Sequence, residues 1–188
     1  ISLFGIGRPD VPKLEDWVAD VLSEGDKLGV DPRVLSMDRA RSLSKRLDEA
    51  GISIRYIEKN LVDELWEDRP SISMEAVRVL PEKYSGESME SKLERIRKKM
   101  SDKGSSIHVM NALDSIAWTF NLRGSDVSYN PVFISYAVID NEKAHLFVHP
   151  GKITEEVKEH LGDRVNLHGY VEIGDFLEKI RQGDHKIW

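Results

Sequence analysis

The spacing of apolar residues changes period along this chain, and each change marks an element. Residues 1–6 are apolar and β-prone, which predicts a strand. Pro12 is a good first helical position, and Leu14, Trp17, Val18, Val21 and Leu22 then recur at the spacing of one helix face, closed by Gly25. A short strand over 27–30 leads to Asp31-Pro32. Ser36 stands as an N-cap with Asp38 in the first turn, and Ala40, Leu43, Leu47 and Ala50 form the buried stripe of a second helix ended by Gly51. Residues 52–57 alternate as Ile, Ser, Ile, Arg, Tyr, Ile, the pattern of a strand with one buried face. Residues 60–70, NLVDELWEDRP, read as a connector with a short helix and a proline stop.

Past the connector the same two periods return. A strand is predicted over 76–80, a helix on Met89, Leu93, Ile96 and Met100, and a strand over 107–110. Asn111 is read as the cap of the next helix, with Asp114 mimicking a capping box and Leu113, Ile116, Ala117 and Phe120 on its apolar face. Strands over 132–139 and 143–148 join through Asp140-Asn141, a hairpin signal. Thr154 caps a helix with Glu155 and Glu156 in its first turn and Gly162 at its end. A strand over 165–171, a helix over 173–180 and the start of a strand at 186–188 complete the pattern. Helices alternating with strands, interrupted by one hairpin, predict an α/β fold: a mixed β-sheet flanked by helices.

Composition narrows the functions available. At 40% hydrophobic and 32% charged, the 188 residues suit a folded chain rather than a disordered one. The net charge of −6 argues against a nucleic-acid partner, which needs a basic face. The basic run RIRKK at 95–99 sits in a helical pattern beside Glu87, Glu90 and Glu94, and reads as a solvated face. With no cysteine, thiol nucleophiles, disulfides and Cys-zinc sites are excluded, and the absence of any Asn-x-Ser/Thr fits a cytoplasmic setting. No apolar run approaches the ~18 residues of a membrane span, so no membrane partner is expected. The chain lacks an initiator Met and opens inside a predicted strand, so it reads as a piece of something longer. On that reading the first sheet lacks strands, and apolar helix faces around Trp17 and Leu43 are expected to be exposed.

Most candidate chemistry dissolves on inspection. Gly5-Ile6-Gly7 follows a predicted strand, but the third glycine of a dinucleotide fingerprint is missing and Pro9 and Pro12 remove amide donors. His145 and His149 have a zinc spacing only on a helix; on a strand they lie about 13 Å apart, too far for one ion, and are expected to face solvent. No GxSxG elbow occurs. The loop NLRGSDVSYNP at 121–131 is different, because it gathers polar side chains between a helix and a buried strand. Arg123 suits a carboxylate, held by two parallel bonds, and Asp126 suits an amine. The alternative is structural: Asp126 and Asn130 shape turns, Gly124 supplies a positive φ, and Arg123 pairs with an internal acid.

Three segments together resemble a known family. ALDSIAWTFNLRGSDVSYNPVFISYAVI (112–139), GVDPRVLSMDRARSLSKRLDEAG (29–51) and NLVDELWEDRP (60–70) are similar, in that order, to the three-domain aminopeptidase P enzymes, the Xaa-Pro aminopeptidases. The resemblance implies a creatinase/prolidase N-terminal-domain-like fold with a ribonuclease H-like motif, used twice ahead of a catalytic domain. Residues 1–58 then correspond to the C-terminal part of a first such domain, 59–70 to a linker and 71–188 to a second domain. It also implies a metal-dependent aminopeptidase removing the residue before proline, with peptides bearing proline second as substrates. The family's two divalent metals, usually manganese, are held by two Asp, one His and two Glu in the catalytic domain. Nothing here matches those motifs, so no catalytic or metal residue and no cofactor is carried over to this chain. The implied role is shaping substrate access and assembly, with its own catalytic domain as partner and a homodimer as an option. The loop residues Asn121, Arg123, Asp126 and Asn130 are expected on the side facing the substrate cleft. A free-standing binding or scaffold module of the same fold is the alternative.

Overall fold

Leu43 and Leu47, four apart on one helix, centre the core of the first unit, Ile1–Pro70. The computed structural model describes residues 3–5 and 7–188. In this unit helix α1 (Leu14–Val21), strand β1 (Lys27–Val30), helix α2 (Met37–Asp48), strand β2 (Ser53–Tyr56) and helix α3 (Leu61–Leu65) follow in order. β1 and β2 pair in parallel, Lys27 opposite Ser53 and Val30 opposite Tyr56, with α2 as the crossover. Val18, Leu43, Leu47 and Ile52 are buried together, which places the apolar stripes of both helices against one sheet face. The Ser36 hydroxyl accepts the Arg39 N–H and caps α2 as predicted. Asp31 accepts bonds from the Arg33 backbone and guanidinium and from the Asn60 amide, which hold its carboxyl far below the usual range. Asn60 in turn accepts the Val62 N–H and caps α3.

Two expectations need correction in this unit. Leu43 is buried rather than exposed, because Val18 and Leu47 close over it; the α1 face around Trp17 stays open, with Leu14, Trp17 and Val21 exposed and Phe4 tilted against Trp17 at 5.7 Å. The strand expected over 1–6 falls partly on residues 1, 2 and 6, which lie outside the described residues; residues 3–5 form no strand.

The second unit, Ser71–Trp188, contains strand β3 (Arg78–Val79), helices α4 (Glu82–Ser85) and α5 (Met89–Asp102), strand β4 (Ile107–Met110), helix α6 (Leu113–Thr119) and strand β5 (Leu122–Arg123). Strands β6 (Ser135–Asp140) and β7 (Ala144–Val148), helix α7 (Glu155–Leu161), strand β8 (Val165–His168) and helix α8 (Ile173–Arg181) complete it. The main sheet runs β4-β6-β7-β8, antiparallel except for the parallel pair β7–β8, and β3 pairs with β5 in a separate two-stranded ladder. Residues 186–188 lie parallel to β4, with Trp188 N–H donating to the Ile107 carbonyl at 2.8 Å.

Period-two alternation sends successive residues of β6 and β7 to opposite faces. Ala137, Ile139, Ala144, Leu146 and Val148 meet α5, α6 and α7 in one core. Val138 and Phe147 meet Ile180 and, with it, α8 in another. The central strands are therefore buried on both sides, as the mixed α/β expectation requires.

Several boundaries move for identifiable reasons. β6 begins at Ser135 rather than 132, because the Ile134 N–H is taken by the Asp126 carboxylate at 2.6 Å. β8 ends at His168 rather than 171, because Tyr170–Glu172 form a 3-10 turn whose Glu172 carboxylate accepts the Gly169 N–H. β3 shortens to two residues. Asn111 does not cap α6; Ala112 occupies that position without a side-chain bond, and Asp114 accepts the N–H of Ser115 instead.

Candidate functional site

The loop after α6 owes its shape to residues that hold it from beneath. Asn121 leaves the helix in the left-handed region at φ 51°, where Asn is tolerated better than most side chains. Its carbonyl accepts the Leu80 N–H at 2.7 Å. Its side-chain oxygen accepts the Lys92 ammonium at 2.5 Å, and its amide donates to the Glu87 carbonyl at 2.9 Å. Lys92 is 1% exposed and also donates to the Trp118 carbonyl at 2.8 Å, with its nitrogen 4.3 Å from the Trp118 ring centre. Burial pushes the Lys92 ammonium below its ordinary pKa, partly offset by the nearby Glu87 carboxylate.

Arg123 does not pair with an internal acid. Its Nη1 donates to the carbonyls of Ala117 and Leu122 at 3.0 and 2.8 Å, placing a cation at the C-terminal end of α6. Gly124 is required by close approach and not by positive φ: a Cβ there would lie 2.6 Å from Cβ of the buried Phe133 and 2.9 Å from the Val132 carbonyl. Gly124→Ala is accordingly expected to destabilise the unit by about 1–3 kcal/mol, read as a lowered urea midpoint. A midpoint equal to that of the native protein would show that Phe133 yields.

The Asp126 side chain is wholly buried and makes an ion pair with Lys152, which is equally buried. The same carboxylate oxygen accepts the Ile134 N–H, while the other, Oδ1, has no partner. Asp126 thus holds an amine, as its chemistry suggested, but an internal one. Beyond it the chain folds back: Val127 and Asn130 form an antiparallel bridge, and Tyr129 sits at the tip at φ 63° with its side chain fully exposed. Arg78 and residues 124–131, apart from Asp126, line a shallow groove of about 340 Å3. Of the four residues singled out in the sequence, Asn130 lines this groove; Asn121 and Asp126 are engaged inside, and Arg123 is half-buried. Lys92 and Lys152 were not marked by the sequence. Lys92 does fall three residues after Met89 and four before Ile96, on the apolar side of α5.

The histidines are arranged differently from expectation. His145 does not face solvent; it is 8% exposed, packed against His168 and Phe176. His149 is exposed, and its Nδ1 accepts the Gly151 N–H. Among the described residues no group of three or more His, Asp or Glu converges as an ion would require. No strand precedes the Gly5–Gly7 turn among the described residues, and Arg8 N–H closes back on the Gly5 carbonyl.

Residues 68–188 match a family described as Creatinase/Prolidase N-terminal domain. A probable Xaa-Pro aminopeptidase P of Leptosphaeria maculans is 46% identical over 164 residues, 87% of this chain and 27% of the relative. A protein of the same description from Tuber melanosporum is 43% identical over 178 residues, 94% of this chain and 29% of the relative. The chain thus spans less than a third of these curated relatives. The crystal structure of an X-prolyl aminopeptidase from Caenorhabditis elegans, described as a cytosolic enzyme with a di-nuclear active site, superimposes with a TM-score of 0.88. Sequence identity there is 33%, over 99% of this chain and 31% of that one.

Proposed function

The chain belongs to the creatinase/prolidase N-terminal domain family, and from that premise we propose that it is the non-catalytic region of a metal-dependent Xaa-Pro aminopeptidase. The parent enzyme removes the N-terminal residue before proline from peptides in the cytoplasm. The observation that carries this reading is the match of almost the entire chain to 31% of an X-prolyl aminopeptidase. Residues 1–58 are then the end of a first creatinase-like domain, 59–70 a linker, and 71–188 the second domain.

Two divalent metals, manganese by preference, belong to a catalytic domain outside this chain. The residues described here do not fit such a centre, which needs several carboxylates fixed around both ions. The work left to this region is steric: limiting which peptides reach the cleft, and contributing to assembly with its own catalytic domain and a second copy.

Within that reading, the 121–131 loop faces the substrate side. Asn121, Arg123 and Asp126 fix its shape, and Asn130 and Tyr129 make the contact. In the full-length enzyme, Tyr129→Ala with Asn130→Ala is expected to change kcat/KM roughly tenfold for long Xaa-Pro peptides, the size of one lost polar contact. Dipeptide turnover and thermal stability should not change. Unaltered kcat/KM on both substrate lengths would remove the loop from the cleft. Failure of the native enzyme with added Mn2+ to cleave any Xaa-Pro peptide would overturn the larger reading.

A further inference from the structure

Beneath α8, two imidazoles meet nitrogen to nitrogen. His145 Nδ1 lies 3.0 Å from His168 Nε2 across the parallel pair β7–β8. The outer nitrogens each face a carboxylate: His145 Nε2 lies 3.1 Å from Asp140 Oδ2, and His168 Nδ1 lies 3.8 Å from Glu172 Oε2. The His168 ring stacks on Phe147, with centroids 4.7 Å apart and planes at 17°. Phe176 of α8 then rests on all three rings, 4.6 Å from His145, 5.1 Å from Phe147 and 5.5 Å from His168. The aromatic anchor of the helix thus sits on a titratable pair.

Counting protons shows what this row of four groups does. Three protons on the two rings satisfy every contact: one N–H toward each carboxylate and one between the rings. That state carries one positive charge between two carboxylates. A fourth proton sets two N–H groups head-on across 3.0 Å, with two cations in contact in a partly buried site. Two facing nitrogens also fall short of the four ligands a structural zinc takes, so the pair suits a proton better than a metal.

We propose that Asp140, His145, His168 and Glu172 form a proton latch, which keeps α8 docked while the two rings hold at most one extra proton and loosens it when a second arrives. Other titratable groups border the row. Lys158 of α7 borders the groove beside His168 but is paired with Glu155, and Glu142 and His185 border the groove on the Asp140 side. Burial, and then the charge on His145, hold His168 below the ordinary histidine pKa, against the opposing pull of Glu172. For Asp140 burial acts upward, but the N–H groups of Lys143 and Glu142 and the His145 ring bring it below its usual value.

The sign follows from the lowered His168. The docked state binds fewer protons than the open one between the two pKa values, so docking is at full strength above about pH 6.5, the ordinary histidine value. It weakens as pH falls from there through the native value of His168. Hydrogen exchange of the full-length protein, corrected for intrinsic rates, reads this directly in peptides covering Ile173–Arg181. Protection of α8 is expected to fall by up to about tenfold per pH unit below 6.5, until His168 is charged. Protection of α5 should hold. His168→Phe keeps the aromatic stack without a titrating nitrogen and should flatten the α8 profile. A pH-independent α8 in the native protein, or an equal fall in H168F, overturns the latch. Should H168F not fold, the native protein decides: a fall confined to α8 upholds the proposal, and a parallel fall in α5 overturns it.

Discussion

Asp126→Ala is expected to lower the unfolding free energy of the second unit by about 3–5 kcal/mol, the largest effect of any single loop substitution. The residue left behind explains the size. Lys152 is 1% exposed with Asp126 as its ion-pair partner, so the substitution strands an ammonium where water cannot reach it. The Ile134 N–H loses its acceptor at the same time, at the point where the sheet begins. The double variant Asp126→Asn with Lys152→Met removes both charges and keeps an acceptor for Ile134. It should recover most of the loss, because a buried pair replaced by neutral groups of similar volume is often close to neutral in stability. Urea unfolding of the native, single and double variants settles the matter. A double variant as unstable as Asp126→Ala would mean that the stranded charge is not the cause.

The second large effect belongs to Asn121→Ala, expected at about 3 kcal/mol. Two costs add. A residue at φ 51° with a Cβ and no local side-chain bond pays roughly 1–2 kcal/mol for the left-handed conformation. Removing the amide oxygen deprives the buried Lys92 ammonium of one of its two acceptors, a further ~1–3 kcal/mol. Asn121→Gly relieves the first cost and keeps the second, so it should fall between alanine and the native protein. If glycine and alanine destabilise equally, backbone strain contributes nothing. Both variants should keep the native kcat/KM per folded molecule of full-length enzyme, since the side chain points inward.

How far these features can be read from sequence depends on where their partners sit. The stripe Leu43–Leu47, the Ser36 and Thr154 caps and the hairpin turning at Asp140-Asn141 are local: every residue that decides them lies within a turn or a strand, and each is found. Lys92 and Lys152 carry no local mark of burial, because a lysine reads as polar in any pattern. Their partners Asn121 and Asp126 lie 29 and 26 residues away and are chosen by packing. The same holds for His145 and His168, which meet only because β8 lies in parallel beside β7. Asp126 also shows how a side chain overrides a pattern. The β-prone run from Val132 would continue the strand, but a carboxylate takes the place of a neighbouring strand at Ile134, and pairing starts one residue later. Within the loop, polarity marked the segment but not the inward aim of Asn121 and Asp126, which is set by the lysines below.

The bridging segment at 186–188 has a consequence for the order in which this unit assembles. It pairs with β4 across a separation of eighty residues, whereas β6 and β7 are neighbours joined by a tight turn. Hairpins close in microseconds and distant pairings wait on chain closure. During synthesis, β4, β6 and β7 are all available once Val148 has emerged, but the segment that covers β4 is complete only 40 residues later. At ribosomal speeds that interval is roughly 2–8 s. Throughout it the outer edge of β4 is a bare template for any other nascent chain. The window in which this unit can pair with the wrong strand is therefore set by translation rather than by folding.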